Sequence, residues 1–372
     1  MTIDNAPGKN KRYSAIKTHL FIAGLLSDLF LLLLFQSFLS SRIAAVTAFS
    51  PSGFYMACFL YATFFFSFMY VFSLPLRLFS SFFIEHAFGL SNQKFPDWLV
   101  DEIKSVLMTY FLLMSAALVF YYLLRTFNDL WWLALALLWL FFSVVLARLF
   151  PVLILPVFYK YIAIDDRSLV SELVELGRRA GVRVIDICKI DLSRKTKKAN
   201  AALVGVGGAK KIILGDTLME KFTNPEIAAV VAHEMAHLKF AHIWKLLFFS
   251  GITTALVFFT LSRAIGPVAL YLKADGITDL SIFPVLVLFI SFFSLLIMPL
   301  QNYFCRRLEK QADREAIRLT GEPGVFISVM EKLSEMNLSD KYPGAIKKIF
   351  LYDHPPIGER IETAKRSLSA RI

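Results

Sequence analysis

Residues His233-Glu234-Met235-Ala236-His237 end a largely apolar run that starts near Asn224, and they place two imidazoles and a carboxylate on one short stretch of chain. At about 3.6 residues per turn, side chains four apart lie nearly above one another, so both imidazoles can reach one ion. Glu234 faces another direction and can stay off the metal, where it can take a proton from the water that the metal polarises. This is the pattern of zinc peptide hydrolysis. Taken alone, the same residues also fit an amphipathic helix that happens to carry them. The helix has a readable start: Asn224 as N-cap, Pro225 at the first helical position, and Glu226 at the positive end of the dipole.

Working outward, the chain is 372 residues long, 57% hydrophobic and contains 37 Phe. An ordinary soluble globule is excluded and an integral membrane protein is expected. Apolar runs at residues 17–40, 54–76, 104–124 and 130–158 precede the motif, and runs at 243–263 and 281–303 follow it. Each is near or above the roughly 20 residues a spanning helix needs. Pro151 and Pro156 near the end of the fourth run predict a tilt, a kink or an interfacial continuation. Six spans are expected, with seven allowed. The first run is too long for a signal-peptide core and should stay attached. Cys58, Cys188 and Cys305 are widely separated and odd in number, so neither a disulfide framework nor a cysteine metal site is expected.

The formal net charge of +11 is unevenly distributed. Lys and Arg crowd the N-terminus (Lys9, Lys11, Arg12, Lys17), the stretch from Lys160 to Lys239, and the tail from Arg306 to Arg371. With six spans these segments share one face, which the positive-inside rule assigns to the cytoplasm. Basic residues there suit an anionic lipid surface and give no reason to invoke nucleic acid.

A catalytic zinc takes a third protein ligand and leaves its fourth position for water. Two spans after the motif return the chain to the same face, at Arg306-Arg307-Leu308-Glu309-Lys310-Gln311-Ala312-Asp313. Glu309 and Asp313 are four apart, which lets Glu309 bind metal while Asp313 orients a ligand imidazole. The segment also fits a salt-bridged charged helix, but its topological position favours the metal reading. Between the fourth span and the motif, residues 168–181 read as an amphipathic helix stopped by Gly181. Val182–Ile190 and Lys211–Leu214 read as strands, with Asn200-Ala201-Ala202-Leu203-Val204-Gly205 as a further one. Such a sheet could receive substrate backbone as an added strand. Gly205, Gly207 and Gly208 read as a hairpin turn, because no Gly-Lys-Ser/Thr ending follows them.

The HExxHxxGxxH class is excluded by Phe240 and Ile243, and His242 is out of its register. Asp275-Gly276, the one site for an intramembrane Asp ligand, lies in a polar loop on the opposite face. His233-Glu234-x-x-His237, Glu309-x-x-x-Asp313, Asn200-Ala201, and His354-Pro355-Pro356 with Glu359-Arg360 together resemble the M48 family of integral membrane zinc peptidases, most closely the type I CaaX prenyl proteases. Ile84-Glu85-x-x-Phe88-Gly89 and Asp101-x-Ile103-Lys104 extend the resemblance into the membrane part, so that it covers the chain from about residue 60 onward. Ala236 departs from the glycine common at that position.

The resemblance implies a zinc ion held by His233, His237 and Glu309, with Glu234 as general base and Asp313 supporting a ligand imidazole. It implies oxyanion stabilisation by His354, ordering of the site or substrate by Arg360, and backbone capture by Asn200 and Ala201. The fold expected is a mainly α membrane protein with a cytoplasmic, zincin-like catalytic part containing a small β-sheet. Its divisions would be 1–158 (membrane), 159–242 (sheet and motif helix), 243–303 (membrane hairpin) and 304–372 (third ligand and tail). The partners implied are the lipid bilayer and a peptide or protein substrate, prenylated or membrane-bound. A compact chain without a lysine-rich retrieval signal points to a bacterial cytoplasmic membrane, or to the endoplasmic reticulum in a eukaryote. Bacteria generally do not prenylate CaaX ends, so a broad quality-control protease or holding factor is the alternative. A transporter with structural zinc is disfavoured, because Arg148 and Asp28 are the main charges within the spans.

Overall fold

The computed structural model describes residues 8–204 and 209–369, so the turn expected at Gly205, Gly207 and Gly208 lies outside the described residues. Among the described residues, six helices are long and apolar enough to cross a membrane. In hydrocarbon a helix satisfies its own backbone polar groups, which is why these runs take that form. The first four are α1 (Lys9–Ala48), α2 (Phe54–Ala87), α3 (Phe95–Thr126) and α4 (Trp131–Phe158). The expected irregularity in the fourth is a π turn at Phe150–Ile154 around Pro151, since proline removes an N–H and crowds the preceding turn.

The bundle is centred on aromatic side chains: Phe35 packs edge-to-face on Phe65, and Phe65 on Phe283, at centroid separations of 5.1 and 5.2 Å. Its buried Ser40 is satisfied by the Tyr61 hydroxyl and by the Ser281 carbonyl, each 2.6 Å away. Phe21, Leu26, Phe30, Phe111 and Phe248 point outward, as lipid-facing residues do.

The segment after α4 folds as β1 (Tyr161–Ala163), α5 (Arg167–Ala180), β2 (Arg183–Ile190), β3 (Ala201–Val204), β4 (Ala209–Gly215), α6 (Asp216–Lys221) and α7 (Asn224–Lys239). The sheet order is β1-β2-β4-β3. The central pair β2/β4 is parallel, and β3 pairs antiparallel with β4 from Ala201↔Leu214 to Val204↔Lys211, leaving β3 at an edge. Gly181 ends α5 with φ 73°, as read from sequence.

The cap of α7 differs from expectation. Thr223, not Asn224, is the N-cap, and it forms a capping box in which the Glu226 side chain accepts from Thr223 N at 2.8 Å. Two backbone donors are satisfied reciprocally that way, whereas Asn224 could satisfy one.

The chain then re-enters the membrane part as α8 (His242–Tyr271), returns as α9 (Phe283–Thr320), and ends with α10 (Pro323–Met336), α11 (Ala345–Leu351) and α12 (Ile357–Ser369). Helix α9 has 38 residues, about 57 Å at helical rise. That exceeds the roughly 30 Å hydrocarbon core, so its last turns project into a second apolar core formed with α5, β4, α7, α10 and α12 through Leu173, Leu214, Ile227, Met235, Phe326 and Ile361.

The membrane part is tied to the segment leading into β3. Glu85 on α2 accepts from Tyr13 at 2.6 Å and pairs with Lys17 at 3.1 Å and Lys198 at 2.8 Å. Asp101 on α3 pairs with Lys195 at 2.7 Å, and Lys197 N donates to Leu90 O at 2.9 Å.

Candidate active site

Helix α7 presents His233 and His237 on one side and buries Ile227, Val231, Ala232, Met235 and Ala236 on the other. Ala232 and Ala236, together with Ala312 and Ala316 of α9, are all fully buried. Such small side chains let two packed helices come close. Lys239 also joins Glu315 across the two helices at 2.8 Å.

The result is a convergence of three ligand-type residues, His233, His237 and Glu309. His233 Nε2 and His237 Nε2 are 3.1 Å apart. Glu309 Oε2 lies 3.2 Å from the first and Oε1 lies 3.3 Å from the second. Zinc–nitrogen and zinc–oxygen bonds of about 2.0–2.2 Å in a tetrahedron require ligand atoms about 3.3–3.6 Å apart, close to the spacing seen. Buried Glu309 Oε2 has no hydrogen-bond donor aligned to it, and the cluster offers more lone pairs than protons. A divalent cation fits that deficit.

Around this triangle, His233 Nδ1 lies 3.0 Å from Asp313 Oδ1. Arg360 on α12 donates to both Asp313 oxygens, Nε to Oδ2 at 2.9 Å and Nη2 to Oδ1 at 2.6 Å. His354, between α11 and α12, places Nε2 3.4 Å from Glu309 Oε2 and has its Nδ1 2.8 Å from Asp353 Oδ1. That loop is pinned by Arg306, whose Nη1 donates to Lys348 O at 2.9 Å and Tyr352 O at 2.6 Å.

The electrostatics divide the group. Burial pushes His233 down, but its bonds to Asp313 and Glu309 outweigh that and raise it to about 9 in the metal-free protein. Burial, with the neighbouring His233 charge, lowers His237 to about 4. Burial, aided by Glu309, raises the Glu234 carboxyl above its ordinary range, against the opposing charges of His233, His354 and Arg360. Asp353 raises His354, against burial.

Six of the residues singled out from sequence, His233, His237, Glu309, Asp313, His354 and Arg360, thus form one contact network, with Glu234 inside its field. Asn200 and Ala201 lie apart from it. Asn200 opens edge strand β3, its Oδ1 accepting from Ala201 N and its carbonyl from Gly215 N, both at 2.9 Å. Strand β3 packs against α7, but among the described residues no hydrogen bond or ion pair joins Asn200 to the cluster. His242, Gln311, Asp353 and Arg306 were not picked out from sequence as site residues. The available signals were Asp353 next to His354 and Arg306 one turn before Glu309.

The family model described as Peptidase family M48 matches residues 164–368, and that described as CAAX prenyl protease N-terminal, five membrane helices, matches residues 5–160. The Bacillus subtilis protein named uncharacterized metalloprotease YhfN is 28% identical, over 97% of this chain and 85% of its own. CAAX prenyl protease 1 of Saccharomyces cerevisiae is 28% identical over 77% of this chain and 67% of its own. The human CAAX prenyl protease 1 homolog is 25% identical over 78% and 70%. The crystal structure of S. mikatae Ste24p superposes with a TM-score of 0.85 at 24% identity, covering 96% of this chain and 88% of that one, which shows the same fold. With its M48 catalytic segment and its membrane segment both matched, this chain belongs to peptidase family M48, as a membrane metalloendopeptidase of the CAAX prenyl protease type.

Proposed function

We propose that this chain is a zinc-dependent endopeptidase of the bacterial cytoplasmic membrane, with its site on the cytoplasmic side, acting on peptide or protein substrates presented at the bilayer. The observation that carries it is the triangle of His233 Nε2, His237 Nε2 and Glu309 Oε1/Oε2, spaced at 3.1 to 3.3 Å. Two imidazoles and a carboxylate suit zinc among the common divalent ions. These three residues would hold the ion, which when bound supplies Lewis acidity to a water and to the scissile carbonyl.

The chain's own residues do the rest. Glu234 takes the proton of the attacking water as its oxygen bonds the carbonyl carbon, and delivers it to the amine as the C–N bond breaks. The raised pKa of Glu234 suits both steps. His354, oriented by Asp353, which favours its protonated form, donates from Nε2 to the developing oxyanion. Asp313, 3.0 Å from His233 Nδ1 and held by Arg360, faces the back of the ring that presents Nε2 and orients it. Edge strand β3 supports backbone pairing with an extended substrate, starting at Asn200 and Ala201. The cytoplasmic assignment rests on the basic segments Lys160–Lys239 and Arg306–Arg371. The divisions 1–158, 159–242, 243–303 and 304–372 are proposed with it.

The test compares matched CaaX peptides, farnesylated and not, with wild-type protein and Glu234→Gln in detergent. Cleavage by wild type that falls by about 10²–10⁴-fold in the variant, with zinc retained, supports the mechanism, and dependence on farnesyl assigns prenyl processing. Equal rates in the two proteins would remove Glu234 from the chemistry. Cleavage of unfolded membrane proteins, but of neither CaaX peptide, would assign quality control.

A further inference from the structure

His242 is the first residue of α8, and its imidazole is turned back into the site. The chain leaves α7 and turns at Ala241, whose φ of 53° and ψ of 39° are left-handed, a conformation that an L residue with a Cβ adopts only at a cost. That turn brings His242 beneath the second histidine of the motif. Its side chain is 1% exposed and stacks on Phe240 at 5.8 Å. His242 Nδ1 lies 2.9 Å from His237 Nδ1, and its Nε2 lies 3.2 Å from Gln311 Oε1 on α9.

Two ring nitrogens facing each other at hydrogen-bond distance share one proton. Gln311 Oε1 can only accept, so His242 carries its ring proton on Nε2 and donates it there. His242 Nδ1 is then an acceptor, and His237 must carry its own proton on Nδ1. Its Nε2 is left as a bare lone pair directed at His233 and Glu309. The opposite ordering would aim two lone pairs at each other across the Gln311 contact and put the His237 proton where an ion would sit. Gln311 therefore selects the tautomer of His242, and His242 that of His237. The partner of a metal-binding ring's second nitrogen commonly fixes both tautomer and orientation. His233 has Asp313 in that place, whereas His237 has this neutral relay, anchored to the first residue of a membrane span.

We propose that His242 is a positioning residue for metal binding, fixing the ring and tautomer of His237 through Nδ1 while Gln311 fixes its own. The inference rests on the metal reading of the His233–His237–Glu309 triangle.

It is tested by zinc affinity, measured by chelator competition on the full chain in detergent, and by the thermal midpoint of the metal-free protein. His242→Leu fills the space without an acceptor and should weaken zinc binding about 10–100-fold. His242→Asn offers Oδ1 in place of Nδ1 and should restore most of the affinity. Gln311→Leu, whose side chain is less buried, should move affinity the same way by less, and it serves if His242→Leu does not fold. A metal-free midpoint that drops equally in the Leu and Asn variants, with affinities alike, would show a purely structural residue and overturn the proposal. Unchanged affinity in both His242→Leu and Gln311→Leu, while His237→Ala abolishes binding, overturns the relay and leaves the metal site standing. Binding unaffected by His237→Ala overturns both.

Discussion

Arg360 grips Asp313 with two guanidinium hydrogen bonds, of 2.9 and 2.6 Å, although the two residues lie on different helices. Asp313 is 1% exposed, so the pair has little water to fall back on. Arg360→Ala would strand a buried carboxylate, at a cost on the order of 3–5 kcal/mol. The metal-free thermal midpoint should fall sharply in Arg360→Ala. It should fall less in Arg360→Lys, which keeps the charge and loses the fork. A wild-type midpoint in Arg360→Ala would show that Asp313 finds its compensation elsewhere.

Glu309→Ala removes the one anionic member of the ligand triangle and leaves both imidazoles in place. Zinc content after dialysis, read by elemental analysis, should drop well below one ion per chain, and hydrolysis should drop with it. Glu309→Gln keeps the shape and a neutral oxygen, so its occupancy should be intermediate. Full occupancy in the alanine variant would mean that another group is the third ligand.

On the proposed metal reading, the pH dependence of zinc binding follows from His233. In the metal-free protein its pKa is raised to about 9, so below that pH an incoming ion must displace a proton, and above it none. Apparent affinity should rise about tenfold per pH unit between pH 7 and 8.5 and flatten above about 9, because one proton is released per ion bound. His237, lowered to about 4, is neutral across this range and contributes no slope. Calorimetry in buffers of different ionisation enthalpy counts the proton directly, and a flat affinity from pH 7 to 9 would contradict the assignment.

Thr223→Ala deletes one half of the capping box on α7 and should cost about 1 kcal/mol, seen as a lower thermal midpoint with zinc stoichiometry unchanged. Asn224→Ala should cost less, since Asn224 contributes only long contacts of 3.4 Å to Asp166 and to Ser168. A larger loss at Asn224 would restore it as the cap.

His233, Glu234 and His237 were legible because helical spacing alone puts the two imidazoles together. Glu309 was legible because two spans return the chain to the face it left. The cap was misassigned because Thr223 and Asn224 are both good cap formers. The signal that separates them is Glu226 three residues after Thr223, which fits a box on the threonine and not on the asparagine. His242 is out of register with the HExxHxxGxxH pattern, and its place behind His237 depends on a break between two helices. The break falls at Ala241, the strongest helix former in isolation, and nothing local announces a left-handed residue there. Arg360, His354 and Asn200 carry no periodic signal of their own and were reached through family resemblance.

Helices α8 and α9 give the ligand set an unusual polymer physics. In a soluble chain, bringing Glu309 to His237 would mean closing a flexible loop over residues 238–308, at an entropic cost that grows with the logarithm of its length. Here the intervening chain is a helical hairpin of two membrane-length helices, and the fold itself brings its ends together. Loop closure is thus a property of the membrane fold, and on the proposed metal reading an ion would meet a nearly finished chelate. Dissolving the hairpin should therefore weaken metal retention even with every ligand residue intact.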